Sequence, residues 1–229
     1  AARIEEDVAG ITRLAEAGAG AVGGVVRITA VSALIGEWLV PRLPGLYARH
    51  PELRGDLVAS NDNLNVARRE ADIAIRLARP ASGDFLIRKL AGVGFALYGA
   101  ARGDLAVSAG DWVAYNEDLD HTPEMRRLHA MLGEGRIRLR SNSLRGLVRA
   151  VAGGIGHGLL PCFVADADPG LVRLSGAEPI LYRELWMLIH PDARPLARVA
   201  ATADWLVERF DEAAAGFAGR APSPRNAPP

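Results

Sequence analysis

Cysteine is nearly absent: Cys162 is the only one among 229 residues, so no intrachain disulfide can form and a reducing compartment fits best. There is no surplus of either charge sign either, with 27 Lys+Arg set against 27 Asp+Glu. Without a net basic field the chain alone is not expected to hold nucleic acid tightly. No apolar run approaches the roughly 18–20 residues that a bilayer span requires, so no membrane association is expected. The N-terminus shows no basic stretch followed by an apolar one, which argues against secretion and for a cytoplasmic protein.

Catalytic and cofactor signatures are missing too. The sequence contains no G-x-S-x-G elbow, no P-loop and no HExxH. His50, His121, His129, His157 and His190 stand at no metal-ligand spacing. GGIGHG (153–158) invites a dinucleotide reading, but that motif must follow a strand and open a helix; here it closes a helix and opens a strand. Cys162, at an apolar strand end, reads as a small buried hydrophobe, and Asp72 within DIAIR reads as structural. No catalytic residue, metal or cofactor is expected.

What is present is a core. Hydrophobic residues make up 49% of the chain, and the length lies between one average domain and two large ones. VVRITAV (25–31), DLVAS (56–60) and ADIAIRL (71–77) read as buried strands, with a helical run at 33–49 and a short helix near 63–69 between them. Pro41 and Pro44 predict a kink or break in the first of these helices. Strand–helix alternation with short connections is the pattern of a parallel sheet covered on both faces. Further on, FALYGA (95–100), DWVAYN (111–116), RIRLRS (136–141), GLLPCF (158–163), LVRLSG (171–176) and ELWMLIH (184–190) read as strands. Helices are predicted at 122–132, at Ser143–Ala152 capped by Asn142 or Ser141, and at Pro195–Phe217. Residues 1–18 read as an amphipathic helix with Ile4, Val8, Ile11, Leu14 and Ala15 on one stripe, expected to lie on its own domain or on another subunit. The Pro/Ala-rich tail at 218–229 reads as disordered.

Six segments occur in the order and spacing of one family: GVVRITA, LVPRLPGLYARHPEL, ADIAIRLARPASGDFLIRKL, DWVAYN, SNSLRGLVRAVAGGIGHGLLPCFVAD and ELWMLIHPDARPLARVAATADWLVERF. Together they resemble the regulatory, effector-binding domain of LysR-type transcriptional regulators over about residues 1–217. The resemblance implies a type-2 periplasmic-binding-protein-like fold of class α/β: two Rossmann-like subdomains joined by two crossover segments, with a ligand cleft between them. Subdomain I would be 24–96 plus 184–217 and subdomain II 97–183, with crossovers near Ala96–Ala100 and Leu181–Glu184. Residues 1–18 would be the end of the family's linker helix. The family's winged helix-turn-helix has no counterpart in the sequence, so DNA would be bound only through that separate domain. The resemblance also implies head-to-tail homodimers of this domain, using the helix at 33–49 against subdomain II, and tetramers of the parent protein.

A physical argument places the ligand independently. In open parallel α/β sheets, ligands bind beyond the carboxyl ends of strands, where helix N-termini present free N–H groups. The residues just past those ends are Ser32 and Ala33, Ser60 and Asn61, Arg76, Ser143, and Pro161 with Phe163. Small hydroxyls, an amide and one cation suit a small anion. Each has a plainer reading: Ser32 and Ser143 as helix caps, Ser60-Asn61 as a turn, Arg76 as a partner for an acid such as Asp72. Pro161 and Phe163 resemble the family's loop on the far wall of the cleft. The expected function is sensing of a small, anionic metabolite by a regulator; a solute-binding protein of the same fold is the alternative.

Overall fold

Val26, Ile28 and Ala30 fill one face of a strand whose β-branched neighbours favour extended backbone. In the computed structural model, which describes residues 22–60, 71–80, 83–102 and 110–220, this is β1 (Gly24–Ala30). β2 (Leu53–Ala59) runs parallel to it, from Gly24 opposite Leu53 to Ala30 opposite Ala59. On its other side lies parallel β3 (Ile73–Arg76), wholly buried, with Ile28 opposite Ile73. Parallel neighbours need a crossover. Here it is a π turn (Leu34–Leu39), a 3-10 turn (Val40–Arg42) and α1 (Leu43–Arg49). The expected break therefore falls at Pro41, whose missing N–H and ring do not fit a continuous α-helical ladder. The predicted helix near 63–69 lies outside the described residues, as do residues 1–18 and all of the tail beyond Arg220.

The remaining strands are β4 (Leu86–Ala100), β5 (Asp111–Ala114), β6 (Arg136–Arg140), β7 (Gly158–Pro161), β8 (Leu171–Arg173) and β9 (Leu181–Ile189). The main strand order is β2-β1-β3-β9-β4-β7, with β8 on β4 and a separate β5-β6 pair. The other helices are α2 (Pro123–Leu132), α3 (Leu144–Ala152), α4 (Cys162–Ala165), α5 (Ala197–Glu212) and α6 (Ala214–Phe217).

The chain packs as two compact units: residues up to Leu90 with Trp186–Asp211, and Ala91–Leu185 with the segment from Glu212 onward. It passes from one to the other inside β4, inside β9 and at the end of α5. β4 begins at Leu86, well before the expected Phe95. Arg88, Lys89, Gly92 and Gly94 break the apolar pattern there and hid the strand's first half.

In the first unit, α5 buries Val199, Ala203, Trp205, Leu206 and Phe210. Phe210 stacks on Trp38 of the π turn, with ring centroids 4.0 Å apart. Asp72 accepts from the backbone N–H of Arg27 at 2.8 Å and returns its own N–H to the Arg27 carbonyl at 2.9 Å. It is a fastener between strands, as its sequence context implied.

In the second unit, β5 and β6 are parallel, and His157 continues the pattern on the other edge of β5. The His157 N–H donates to the Asp111 carbonyl and its own carbonyl accepts from Val113, both at 2.8 Å. Gly156 permits this approach, because a Cβ there would lie 2.8 Å from the Asp111 backbone. The glycines of GGIGHG thus serve a helix end and a close strand contact. Three local expectations need correction. Helix α3 is capped by Ser143, as the plainer reading of that residue had it, and not by Ser141 or Asn142. The strand expected over 158–163 stops at Pro161, with Cys162–Ala165 forming a helical turn. The last helix breaks at Ala213 into α5 and α6.

Candidate functional site

In the first unit, three adjacent parallel strands, β2, β1 and β3, end on the same side. Ser32 and Ala33 follow β1 and begin the helical run, with Ser32 exposed. Ser60 follows β2; its N–H donates to the Ala30 carbonyl at 2.9 Å, which binds the end of β2 to the end of β1. Arg76 closes β3 and is only 2% exposed. Its Nη1 donates to the Thr29 carbonyl at 2.9 Å and to the Ile75 carbonyl at 3.0 Å, while Nη2 donates to Thr29 Oγ1 at 3.1 Å. The register that sets Thr29 opposite Ala74 explains this reach back to β1. Ser32, Ser60 and Arg76 therefore occupy the carboxyl ends of neighbouring strands; Asn61 lies outside the described residues.

Thr29 is the residue that reading strand ends missed. It is 1% exposed, and it fixes a guanidinium whose desolvation is costly unless its donors are satisfied. A hydroxyl between the apolar Ile28 and Ala30 at the end of β1 was the available signal.

In the second unit, β6 and β5 end at Arg140 and Ala114, and the Ser141 N–H joins those ends by donating to the Ala114 carbonyl at 3.1 Å. Ser143 is exposed; its Oγ accepts from the Gly146 N–H at 3.2 Å, and its own N–H donates to Ser141 Oγ at 3.1 Å. A cap of this kind contributes about 1 kcal/mol, and it leaves the hydroxyl at a helix start. Pro161 ends β7, buried, and opens α4. Phe163 turns its ring onto Phe217 of α6, with centroids 4.7 Å apart.

Titratable groups of the second unit are paired or buried at both ends of these strands. Hydrogen bonds from Arg136 and Arg138 hold the Asp111 carboxyl below the usual range, and His129 with Arg140 does the same for Asp120. Burial pushes the Tyr98, Tyr115 and Cys162 protons on more firmly. No group of three or more His, Cys, Asp or Glu among the described residues is arranged to hold a metal ion. Among the same residues no helix is long and apolar enough to cross a membrane.

Residues 19–211 match the family model of the LysR substrate binding domain. The chain belongs to this family. A curated relative, the Mau operon transcriptional activator of Paracoccus denitrificans, is 36% identical over 197 residues, covering 84% of this chain and 67% of that protein. Among solved structures, the LysR-type regulator CrgA of Neisseria meningitidis superposes with a TM-score of 0.70 at 20% identity, covering 91% of this chain and 76% of CrgA. The isolated CrgA regulatory domain gives 0.69 at 18% identity, covering 82% of this chain and 99% of that domain. The fold is accordingly the type-2 periplasmic-binding-protein-like α/β architecture of LysR regulatory domains. Family and relative both favour the effector-binding domain of a transcriptional regulator over a solute-binding protein. LysR-type regulators bind small-molecule effectors and act as oligomers.

Proposed function

We propose that this LysR substrate-binding domain senses a small anionic metabolite in the cytoplasm. Its candidate ligand residues are Ser32, Ala33, Ser60, Asn61 and Arg76 in the sequence of the first unit, and Ser143, Pro161 and Phe163 in the second. The two units correspond to regulatory subdomains I and II. The observation that carries this reading is the convergence of two hydroxyl residues and a buried cation on the carboxyl ends of three adjacent parallel strands. The domain carries out no chemistry; it binds. Such a ligand shifts a conformational equilibrium by its differential affinity, about 1–3 kcal/mol in couplings of this kind, and the shift reaches the DNA-binding module of the regulator.

The test is thermal denaturation of the 229-residue chain with formate, acetate, succinate and inorganic phosphate. Ligand at about 100 times its Kd adds about 2.7 kcal/mol of stability. With the anion that raises Tm most, combining Ser32→Ala and Arg76→Ala should weaken binding about tenfold or more, the worth of one charge-assisted hydrogen bond. Melting should stay cooperative. An undiminished shift in the double variant would remove these residues from the site.

The oligomer we propose is a head-to-tail homodimer of this domain and a tetramer of the parent regulator. The helical run Leu34–Arg49 would pack on subdomain II of the partner, which gives Val40, 45% exposed, a place to be buried. Sedimentation should report a dimer; a monomer at high protein concentration would contradict it.

A further inference from the structure

After α5 the chain returns to the second unit, and residues 212–220 fasten there through several separate contacts. Phe217 is 1% exposed and packs its ring, tilted by 31°, against Phe163 of α4. Arg173 Nη1 donates to the Gly219 carbonyl at 3.1 Å and to the Ala177 carbonyl at 2.7 Å. Arg173 is itself braced by an ion pair with Asp166, whose Oδ1 accepts from Tyr98 Oη at 2.7 Å. Gly219 ends α6 at φ 67°, and the Arg220 N–H returns to the Ala215 carbonyl at 2.9 Å. A Cβ at Gly219 would lie 2.7 Å from Cys162 Sγ, and one at Gly94 2.8 Å from the Ala218 carbonyl oxygen.

Two of these contacts, Phe217 on Phe163 and Gly219 on Cys162, meet at α4, the turn that begins directly after Pro161. Its first residue, Cys162, is fully buried, with Gly219 against its sulfur. The segment is short, and Ala213 separates α6 from the long helix before it. Its contacts with the unit include one aromatic ring, one arginine and one glycine, and a short docked element of this kind opens locally ahead of a domain core.

We infer that residues 212–220 are a C-terminal strap whose docking sets the Pro161–Ala165 corner of the second unit, with Phe217 and Gly219 as its positioning residues. The corner's part in effector binding rests on the function proposed above; the strap itself does not. Opening of the strap uncovers Cys162 and frees Phe163, so an effector touching Pro161 and Phe163 favours the docked form and slows thiol exposure.

The single cysteine makes the test direct, because any thiol signal from the 229-residue protein comes from Cys162. Native protein is mixed with an aromatic disulfide reagent and labelling is followed by absorbance. Wild type should react slowly. Phe217→Ala should react at least about tenfold faster, since it loses the principal apolar contact of a locally opening element. Labelling at the wild-type rate overturns the strap, as does acceleration no greater than the variant's own global unfolding accounts for. Should Phe217→Ala fail to fold, hydrogen exchange on wild type decides. The amides of Phe217, Ala218 and Arg220 should exchange faster than those of Val148 and Val151 in the unit's core; equal protection overturns the proposal. Neither measurement needs an effector. A misplaced effector site would show in the Ser32→Ala/Arg76→Ala titration and leave thiol labelling untouched.

Discussion

Phe210→Ala should destabilise the protein by about 3–5 kcal/mol, the range for removing a large buried aromatic ring. The side chain is fully buried, and its ring lies at 4.0 Å centroid distance against Trp38 with an interplanar angle of 26°. The loss has two parts. One is the transfer free energy of the ring; the other is the cavity left under the π turn, which the kinked run Leu34–Arg49 cannot readily collapse into because Pro41 and Pro44 limit its rearrangement. Phe210→Leu retains much of the volume and should lose distinctly less. Urea denaturation followed by tryptophan fluorescence measures both. A loss below about 1 kcal/mol for the alanine variant would mean that α5 is not seated on the first unit's core as described.

Arg183→Met should cost a comparable amount, about 3–5 kcal/mol, for an electrostatic reason. Arg183 Nη1 donates to both oxygens of Glu124, at 2.8 and 3.0 Å, and the two side chains are only 13% and 7% exposed. The pair ties α2 to β9 close to where that strand leaves the second unit. Removing the cation leaves a carboxylate desolvated without its counter-charge, and that penalty exceeds the net worth of the intact pair. Adding Glu124→Leu to Arg183→Met should therefore restore much of the loss. Chemical denaturation of both singles and the double completes the cycle. Additive losses would show that the two groups do not interact.

β1, β3, the second half of β2 and the break in the first helical run were legible because their signals are local: short apolar runs, and prolines that end a helical ladder. The resemblance to LysR regulatory domains was legible because six segments keep one order, and it led to the right fold. What escaped depends on partners distant in sequence. The amino half of β4 carries Arg88 and Lys89, which suit its largely exposed start, and only pairing across the sheet makes it a strand. Pro161 could end a strand or begin a helix; the packing of α4 against α6 settled it. Of the candidate site, Ser32, Ser60 and Arg76 could be placed at strand ends from the sequence alone. That Thr29 holds Arg76 could not, because the contact depends on strand register between residues 47 positions apart. The return of the chain to the second unit at α6 was hidden for a similar reason: Ala213 is a good helix former, and only docking of Phe217 takes the chain out of line there.

Backbone amide spectra of the uniformly labelled domain, recorded with and without the anion that raises Tm most, locate the ligand without a prior choice of variant. Perturbations should concentrate at Ser32, Ala33, Ser60 and Arg76 in the first unit and at Ser143, Phe163 and Cys162, the amide next to Pro161, in the second, with the exposed face of α2 silent. A footprint that spares all of these strand ends would contradict the account of how this regulator domain takes hold of its effector.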